Sequence, residues 1–148
     1  MPVSPQAVAN AFIDRAHADN KPLTNMQVQK LVFLAQGYSL AILGHCIFEK
    51  HMHAWQWGPV IPPLYKALRK YGNGVVRDTL ASPDEVTNVD EKKIIDGVWA
   101  AYRNYSGGSL SELTHRPNSP WDRAWKREQF SVIDTEDIRA YYSKLVTA

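Results

Sequence analysis

Three histidines are the first residues to consider for metal binding or acid–base chemistry. His51 and His53 would share one face of an extended segment, because side chains alternate along a strand, and His115 lies much later in the chain. Three imidazoles brought together could chelate a transition metal. However, the sequence has no HExxH pattern and no third ligand at a familiar spacing. We therefore predict no metal site and interpret His115 as a buried, hydrogen-bonded structural histidine.

The sequence offers no other arrangement that supports catalysis. Cys46 follows His45, but a nucleophilic thiol needs a base that lowers its pKa, and a buried idle cysteine is the preferred interpretation. We find no paired carboxylates, no serine-centred triad and no phosphate-binding glycine loop. The sequence therefore predicts a protein that is not an enzyme, with no catalytic residues and no cofactor.

Basic side chains form two clusters that could contact DNA. The first contains Lys66, Arg69, Lys70 and Arg77, and the second contains Arg123, Lys126 and Arg127. Lysine and arginine contact phosphates in this way on DNA-facing helices. Acidic residues follow the first cluster closely, and the net charge is only +2. A DNA-binding regulator that represses its own operon is therefore kept as an alternative function.

The segment AWQWGPVIPPLY, residues 54–65, is too rich in proline for an ordinary helix and too aromatic for an ordinary loop. Gly58 permits unusual backbone dihedrals, while Pro59 fixes its own φ and restrains the residue before it. Trp55 and Trp57 should therefore be held at defined angles. Preorganised aromatic side chains suit partner binding, because little freedom is lost on docking. We expect one tryptophan to pack in the core and the other to meet a partner.

The composition is that of a globular protein with one core. The 148 residues are 45% hydrophobic and 22% charged, and they include five tryptophans and seven tyrosines. A single cysteine cannot form an internal disulfide. The N-terminal residues lack the basic and apolar regions of a signal peptide, and the longest apolar run is interrupted by polar residues. We therefore predict a cytoplasmic protein.

Helical periodicity and capping residues predict several helices. Ser4 and Pro5 should begin the first, and Thr24 with Gln27 should form a capping box for a central helix that runs to about Leu43. Later helices are predicted from Pro62 or Pro63 to Tyr71, from Asp90, from Ser109, from Trp121 to Lys126 and from Glu136 to Val146, with Thr135 as the last cap. Residues 47–57 alternate roughly and favour short strands.

Three blocks of the sequence resemble the Panacea-domain antitoxins, which are also called SocA-like or phage-associated proteins. The blocks are LTNMQVQKLVFLAQGYSLAILGHCIF, AWQWGPVIPPLYKALRKYG and LSELTHRPNSPW, in the family's order, and the resemblance spans roughly residues 5–125. The motif residues that we interpret as structural are Gln29, Lys30, Gln36, Gly37, Tyr38, Gly58, Pro59, His115, Pro120 and Trp121. Trp57 stands where tyrosine is more often expected, which preserves an aromatic side chain.

The resemblance implies a mainly helical fold and an antitoxin that neutralises a bacterial or phage protein toxin by direct contact. The toxin is usually the product of a neighbouring gene, and its identity cannot be transferred from the family. Candidate partner contacts are Trp55, Trp57, Tyr65, Lys66, Arg69 and Lys70. Together with the residue pattern, the resemblance predicts a mainly α, compact single-domain helical bundle over residues 1–148, with a small β element around 47–57.

Overall fold

One buried helix lies at the centre of the fold. The computed structural model describes residues 2–147, and these residues form seven α-helices and one two-stranded sheet. In chain order the elements are α1 (Pro5–Ala18), α2 (Asn25–Ile42), β1 (His53–Trp55), β2 (Gly58–Val60), α3 (Pro62–Leu68), α4 (Val89–Tyr102), α5 (Gly107–Thr114), α6 (Pro120–Arg127) and α7 (Thr135–Thr147). A single 3-10 turn, Arg69–Tyr71, continues α3. The predicted mainly α architecture is confirmed.

Helix α2 begins and ends where its sequence predicts. The Thr24 side chain accepts a hydrogen bond from the Gln27 N–H, and the Gln27 side chain accepts one from the Thr24 N–H, which completes the capping box. Gly44 adopts a φ of 79° after the last turn and donates its N–H to the Ser39 carbonyl. Among the described residues, no helix is long and apolar enough to cross a membrane.

Helix α2 carries buried polar side chains as well as the apolar core. Gln36 is 2% exposed, donates from Nε2 to the Phe48 carbonyl at 2.7 Å, and accepts from the Ile47 N–H at 2.8 Å. A buried backbone group needs a partner, and here one side chain satisfies two neighbouring residues. Gln36 therefore holds the segment after α2 against that helix.

The small β element is confirmed, but its strands lie later than predicted. Trp55 pairs with Gly58 and His53 with Val60, so the hairpin covers residues 53–60 rather than 47–57. Phe48 makes only an isolated bridge to Val3. The physical reason is that Gln36 already occupies the backbone groups of Ile47 and Phe48, so a strand partner cannot.

Three helices begin earlier than the sequence predicts. The observed caps are Asn88, Ser106 and Asp134, in place of the predicted Asp90, Ser109 and Thr135. In α5, the Ser106 side chain accepts the Ser109 N–H, so Gly107 and Gly108 lie in the first helical turn. Gly107 fits there because it packs against Met26, where a Cβ would come within 3.1 Å of the sulfur. Tertiary packing thus overrides the weak helix propensity of glycine.

Helices α2 and α7 approach each other closely at Gly37. A Cβ at this position would lie 2.6 Å from the ring of Tyr142, which is itself 3% exposed. The Tyr142 ring also packs edge-on against Phe33 with a centroid distance of 6.0 Å. A glycine in the middle of this helix is therefore required by the neighbouring ring.

Replacing Gly37 with Ala should lower the free energy of unfolding by about 1–3 kcal/mol, because the added methyl displaces a rigid, buried ring. Urea denaturation of the purified protein measures this change. Gly97→Ala is the matched control, since Gly97 is also helical and no atom lies within 4 Å of its added Cβ. The control should gain about 0.5–1 kcal/mol from helix propensity. Equal effects of the two substitutions would contradict the packing account.

Candidate functional site

The β-hairpin presents an exposed tryptophan on a two-residue turn. Strands β1 and β2 close at the pair Trp55–Gly58, which leaves Gln56 and Trp57 at the tip. Gly58 adopts a φ of 127°, a conformation that side chains disfavour. Trp57 is 64% exposed, and its carbonyl accepts a hydrogen bond from the Ser111 hydroxyl of α5. The backbone of the tip is therefore anchored while the indole faces solvent.

Trp55 and Tyr65 form the wall beside this tip. Their rings meet edge to face at a centroid distance of 5.0 Å, and both side chains are half-buried. The expectation that one tryptophan plugs the core is therefore wrong, because neither Trp55 nor Trp57 is buried. On α3 only Leu64 and Leu68 are fully buried. Tyr65 instead lines the surface next to Trp55.

A row of aromatic rings supports the hairpin from the other side. His115, Trp121, Trp125 and Phe130 follow one another with centroid distances of 3.9, 5.3 and 5.3 Å. The Trp121 indole N–H donates to the Trp55 carbonyl at 2.7 Å. Phe130 donates its N–H to Ala54 and thereby joins the free edge of β1. The hairpin is thus held between α6, the loop before α7, and α5.

The hairpin, the first turn of α2 and helix α3 enclose a cleft of about 620 Å³. The lining residues are Thr24, Asn25, Met26, Gln29, Lys30, Trp55, Gln56, Trp57, Val60, Tyr65, Arg69, Gly72, Asn73, Gly107 and Phe130. A volume of this size is typical of ligand-binding pockets. None of these lining side chains is acidic.

A buried lysine lies at the floor of the cleft. Lys30 is 2% exposed, and among residues 2–147 its ammonium has neither an ion-pair partner nor a hydrogen-bond partner. Burial lowers its pKa from the ordinary 10.5 to about 8. A Cβ on Gly58 would lie 2.6 Å from Cε and 3.1 Å from Nζ of Lys30. The glycine of the hairpin therefore makes room for this side chain.

Gln29 adds a second unpartnered donor to the cleft. Its Oε1 accepts the Ile61 N–H at 3.1 Å, which fixes the orientation of the amide. Its Nε2 is buried and has no partner among the described residues. The same is true of the acceptor Oδ1 of Asn25, the first residue of α2. Buried polar atoms are normally paired, so three such groups around one cleft need an explanation.

Exposed basic side chains border this region. Lys66, Arg69 and Lys70 are exposed, and none of them forms an ion pair within the described residues. Arg69 lines the cleft, whereas Lys66 and Lys70 lie outside its lining. In the second basic cluster, Arg123 lies 3.7 Å from Asp137 and Lys126 lies 3.1 Å from Asp122. Within the described residues, the first cluster has no ion pair, whereas two of the three members of the second cluster are paired and Arg127 is not.

Several family-motif residues have structural contacts outside the cleft. The Tyr38 hydroxyl hydrogen-bonds the Tyr102 hydroxyl at 2.8 Å, and Pro120 begins α6 after the capping residue Ser119. Pro59 is buried in β2 opposite Ala54. These residues position α4, α6 and the hairpin around α2.

The interpretation of His115 needs correction. His115 is half-buried rather than buried, and its Nε2 has no hydrogen-bond partner among the described residues. It stacks on Trp121 instead. Partial burial is the main cause that lowers the pKa of His115, and the positive charge of Lys30 lowers it further. Its neutral ring packs well against an indole, and a charged ring would be repelled by the lysine.

The three histidines considered for metal binding have different surroundings and do not form a cluster among the described residues. His51 is exposed, and His53 Nδ1 lies 3.3 Å from the Phe130 carbonyl. Within residues 2–147 the structure contains no group of three or more His, Cys, Asp or Glu side chains that could hold a metal ion.

The cleft combines residues that the sequence suggested with others that it did not. Trp55, Trp57, Tyr65 and Arg69 were candidate partner contacts, whereas Gln29 and Lys30 were interpreted as structural. The available signal for the last two was their position within a helix that is otherwise apolar. Phe130 had no such signal, because it reaches the cleft through the pairing of a distant loop with β1.

A known protein family matches more than half of this chain. Residues 28–122 match the family described as "Antitoxin SocA-like, Panacea domain". The chain belongs to this family. It is also 29% identical over 132 residues to Antitoxin SocA of Caulobacter vibrioides (strain NA1000 / CB15N). The aligned region covers 81% of this chain and 69% of the relative. Solved structures give no significant match. Family membership and the relative's name indicate an antitoxin of a toxin–antitoxin system.

The matched residues of the SocA-like family contain most of the cleft. Gln29, Lys30, the hairpin and Tyr65 all lie within 28–122, whereas Thr24–Met26 and Phe130 lie outside that range. Helices α1 and α7 also lie outside it and still pack on α2. The flanking segments therefore complete the cleft and the core.

Lys30→Met should raise the free energy of unfolding at pH 7 by up to about 3 kcal/mol, because methionine fills the same space without a charge that burial penalises. The pKa of Lys30 lies near 8 in the folded protein and near 10.5 when unfolded, so the penalty is complete below pH 8. The penalty then declines as the pH rises towards 10.5. Urea denaturation at pH 7 and pH 10 should therefore show a smaller difference between variant and wild type at pH 10.

Lys93→Met is the control for this experiment, since Lys93 is exposed on α4 and does not line the cleft. Its stability should change little at either pH. A Lys30→Met protein that is less stable than the wild type at pH 7 would show that the ammonium is satisfied and contradict the assignment.

Proposed function

We propose that this protein is an antitoxin that neutralises a protein toxin by binding it directly through the hairpin tip and the adjoining cleft. The observation that supports this proposal is Trp57, which is 64% exposed on an anchored turn beside a preformed cleft in a member of an antitoxin family. The toxin is proposed to be the product of the neighbouring gene. We further propose that residues 1–148 act as one domain, in the cytoplasm and without catalysis.

The physical basis of the proposal is preorganisation. A partner that docks here meets rings already fixed by the contact of Trp55 with Tyr65 and by the Trp121 hydrogen bond. Little side-chain and backbone freedom is then lost on association, which favours tight binding. Tryptophan, tyrosine and arginine are also the residues that most often dominate the energy of protein interfaces.

The proposed contacts are Trp55, Trp57, Tyr65, Lys66, Arg69 and Lys70. The aromatic members and Arg69 would fill and border the cleft, while Lys66 and Lys70 would extend the contact along α3. Their uncompensated charge would accelerate association with an acidic toxin surface.

Trp57→Ala should weaken the antitoxin–toxin complex by about 30-fold or more, because truncating a central tryptophan commonly costs about 2 kcal/mol. The variant should still fold, since Trp57 is 64% exposed. Co-expression with the neighbouring gene product measures growth rescue, and isothermal titration of the purified pair measures the affinity.

Val89→Ala is the matched control, because Val89 is 65% exposed, apolar and outside the cleft. It should leave growth rescue and affinity unchanged. A neighbouring gene product that is harmless when expressed alone, or that never forms a stoichiometric complex, would contradict the proposed function.

DNA binding is the second candidate function, and the uncompensated first basic cluster favours it. Lys66, Arg69, Lys70 and Arg77 are exposed, and the described residues provide no ion-pair partner for any of them. If these side chains contact phosphates of the operon promoter, affinity should fall by about 100-fold between about 50 and 200 mM salt. Gel shifts with promoter DNA at both salt concentrations measure this fall. Absence of a shift at the lower concentration would exclude this candidate.

A further inference from the structure

The floor of the cleft contains donors without acceptors. Lys30 and Gln29 are each 2% exposed, and neither Lys30 Nζ nor Gln29 Nε2 has a partner among the described residues. The Gln29 amide cannot simply be reversed, because its Oε1 already accepts the Ile61 N–H. Both residues line the cleft, and Gln29 Nε2 is itself buried, so an acceptor must enter the floor of the cleft to meet them.

A group that satisfies both Lys30 and Gln29 must accept hydrogen bonds and carry negative charge. The ammonium has three donors and no acceptor, and the amide nitrogen has only donors. No acidic side chain lines the cleft, and Arg69 adds a positive charge at its border. One ammonium with one amide matches the two oxygens and single charge of a carboxylate. A phosphate monoester carries more negative charge than the single Lys30 ammonium balances.

The walls of the cleft determine what carries this carboxylate. Trp55, Tyr65 and Val60 provide apolar surface above the donors, and Phe130 and Trp57, which are 55% and 64% exposed, border the opening. A volume of about 620 Å³ is larger than one carboxylate requires. The complementary ligand is therefore a short acidic side chain with apolar groups on both sides of it.

We propose that the cleft is a receptor for one acidic side chain of the toxin, a glutamate or aspartate flanked by apolar residues, whose carboxylate binds Lys30 Nζ and Gln29 Nε2. This inference rests on the proposed function, because the cleft adjoins the exposed Trp57 that would meet the toxin. It would also account for a lysine without an acceptor at a buried position, since the partner supplies the acceptor.

Two capped tripeptides test the proposal without any toxin. Acetyl-Phe-Glu-Phe-amide and acetyl-Phe-Gln-Phe-amide have nearly the same shape and differ by one charge. Isothermal titration at pH 7 should show that the wild type prefers the glutamate peptide by at least about tenfold, since a charge-assisted hydrogen bond is roughly twice as strong as a neutral one. Lys30→Met should remove the preference, while Lys93→Met should retain it.

The pH dependence provides an independent readout. The other titratable and charged groups to consider are His115 on α5, which also interacts with Asp122 on α6, and the cleft-lining residues Tyr65 and Arg69. His115 is neutral at pH 7 and above, because its pKa is lowered. Lys30 loses its charge above a pKa of about 8, so the preference for the glutamate peptide should decline between pH 7 and pH 9. A structural effect of Lys30 alone would not produce this decline.

The outcomes separate this proposal from the proposed function. No peptide binding at millimolar concentration, or a preference that survives Lys30→Met, would overturn the carboxylate receptor. Tighter binding of free glutarate than of the peptide would assign the cleft to a small molecule and also overturn it. If the peptides behave as expected but the neighbouring gene product is harmless, the receptor stands and the antitoxin function falls. If Lys30→Met leaves the affinity for the toxin unchanged, the carboxylate receptor is contradicted and the antitoxin function is retained.

Discussion

The hydrogen bonds from two glutamines of α2 hold the chain that crosses over this helix. Gln36 satisfies the backbone of Ile47 and Phe48, and Gln29 satisfies the N–H of Ile61. The hairpin lies between these two attachment points, and its position relative to α2 depends on them. Because buried backbone groups left unpaired are costly, the segment has few alternative positions. The cleft forms between the hairpin and α2 because these two hydrogen-bonded attachment points fix the position of the hairpin.

The same helix contains a buried lysine whose charge is disfavoured by burial. Lys30 follows Gln29 in α2 and is buried without a partner in the part of the chain that is described. There is room for it because Gly58 has no side chain. An apolar residue would pack there at lower cost, which is the usual sign that a position serves binding rather than stability. A Cβ at Gly58 would meet both this lysine and the Thr114 hydroxyl of α5, so the glycine leaves the space that the side chain occupies.

Local sequence patterns predicted the helices well where capping depends on nearby residues. Thr24 and Gln27 interact within one turn, and Ser4 and Pro5 begin α1 as expected. Prediction failed where another nearby residue provided the cap, as Asn88 and Asp134 do, or where a distant contact decided the outcome. Gly107 is helical because of Met26, and residues 47–48 are not a strand because Gln36 occupies their backbone groups. Of the candidate site, the aromatic wall was predicted, but Phe130 was not.

The amino-acid sequence by itself determined the mainly helical architecture, the central helix and the aromatic segment at residues 54–65, because periodicity, caps and proline act over a few neighbouring positions. Its three family blocks also identified the Panacea family, which residues 28–122 match. Only the tertiary structure decided that Lys30 lies beneath Gly58, that neither Trp55 nor Trp57 is buried, and that Phe130 borders the cleft. These features depend on contacts between residues far apart in the chain, and such contacts leave no local pattern.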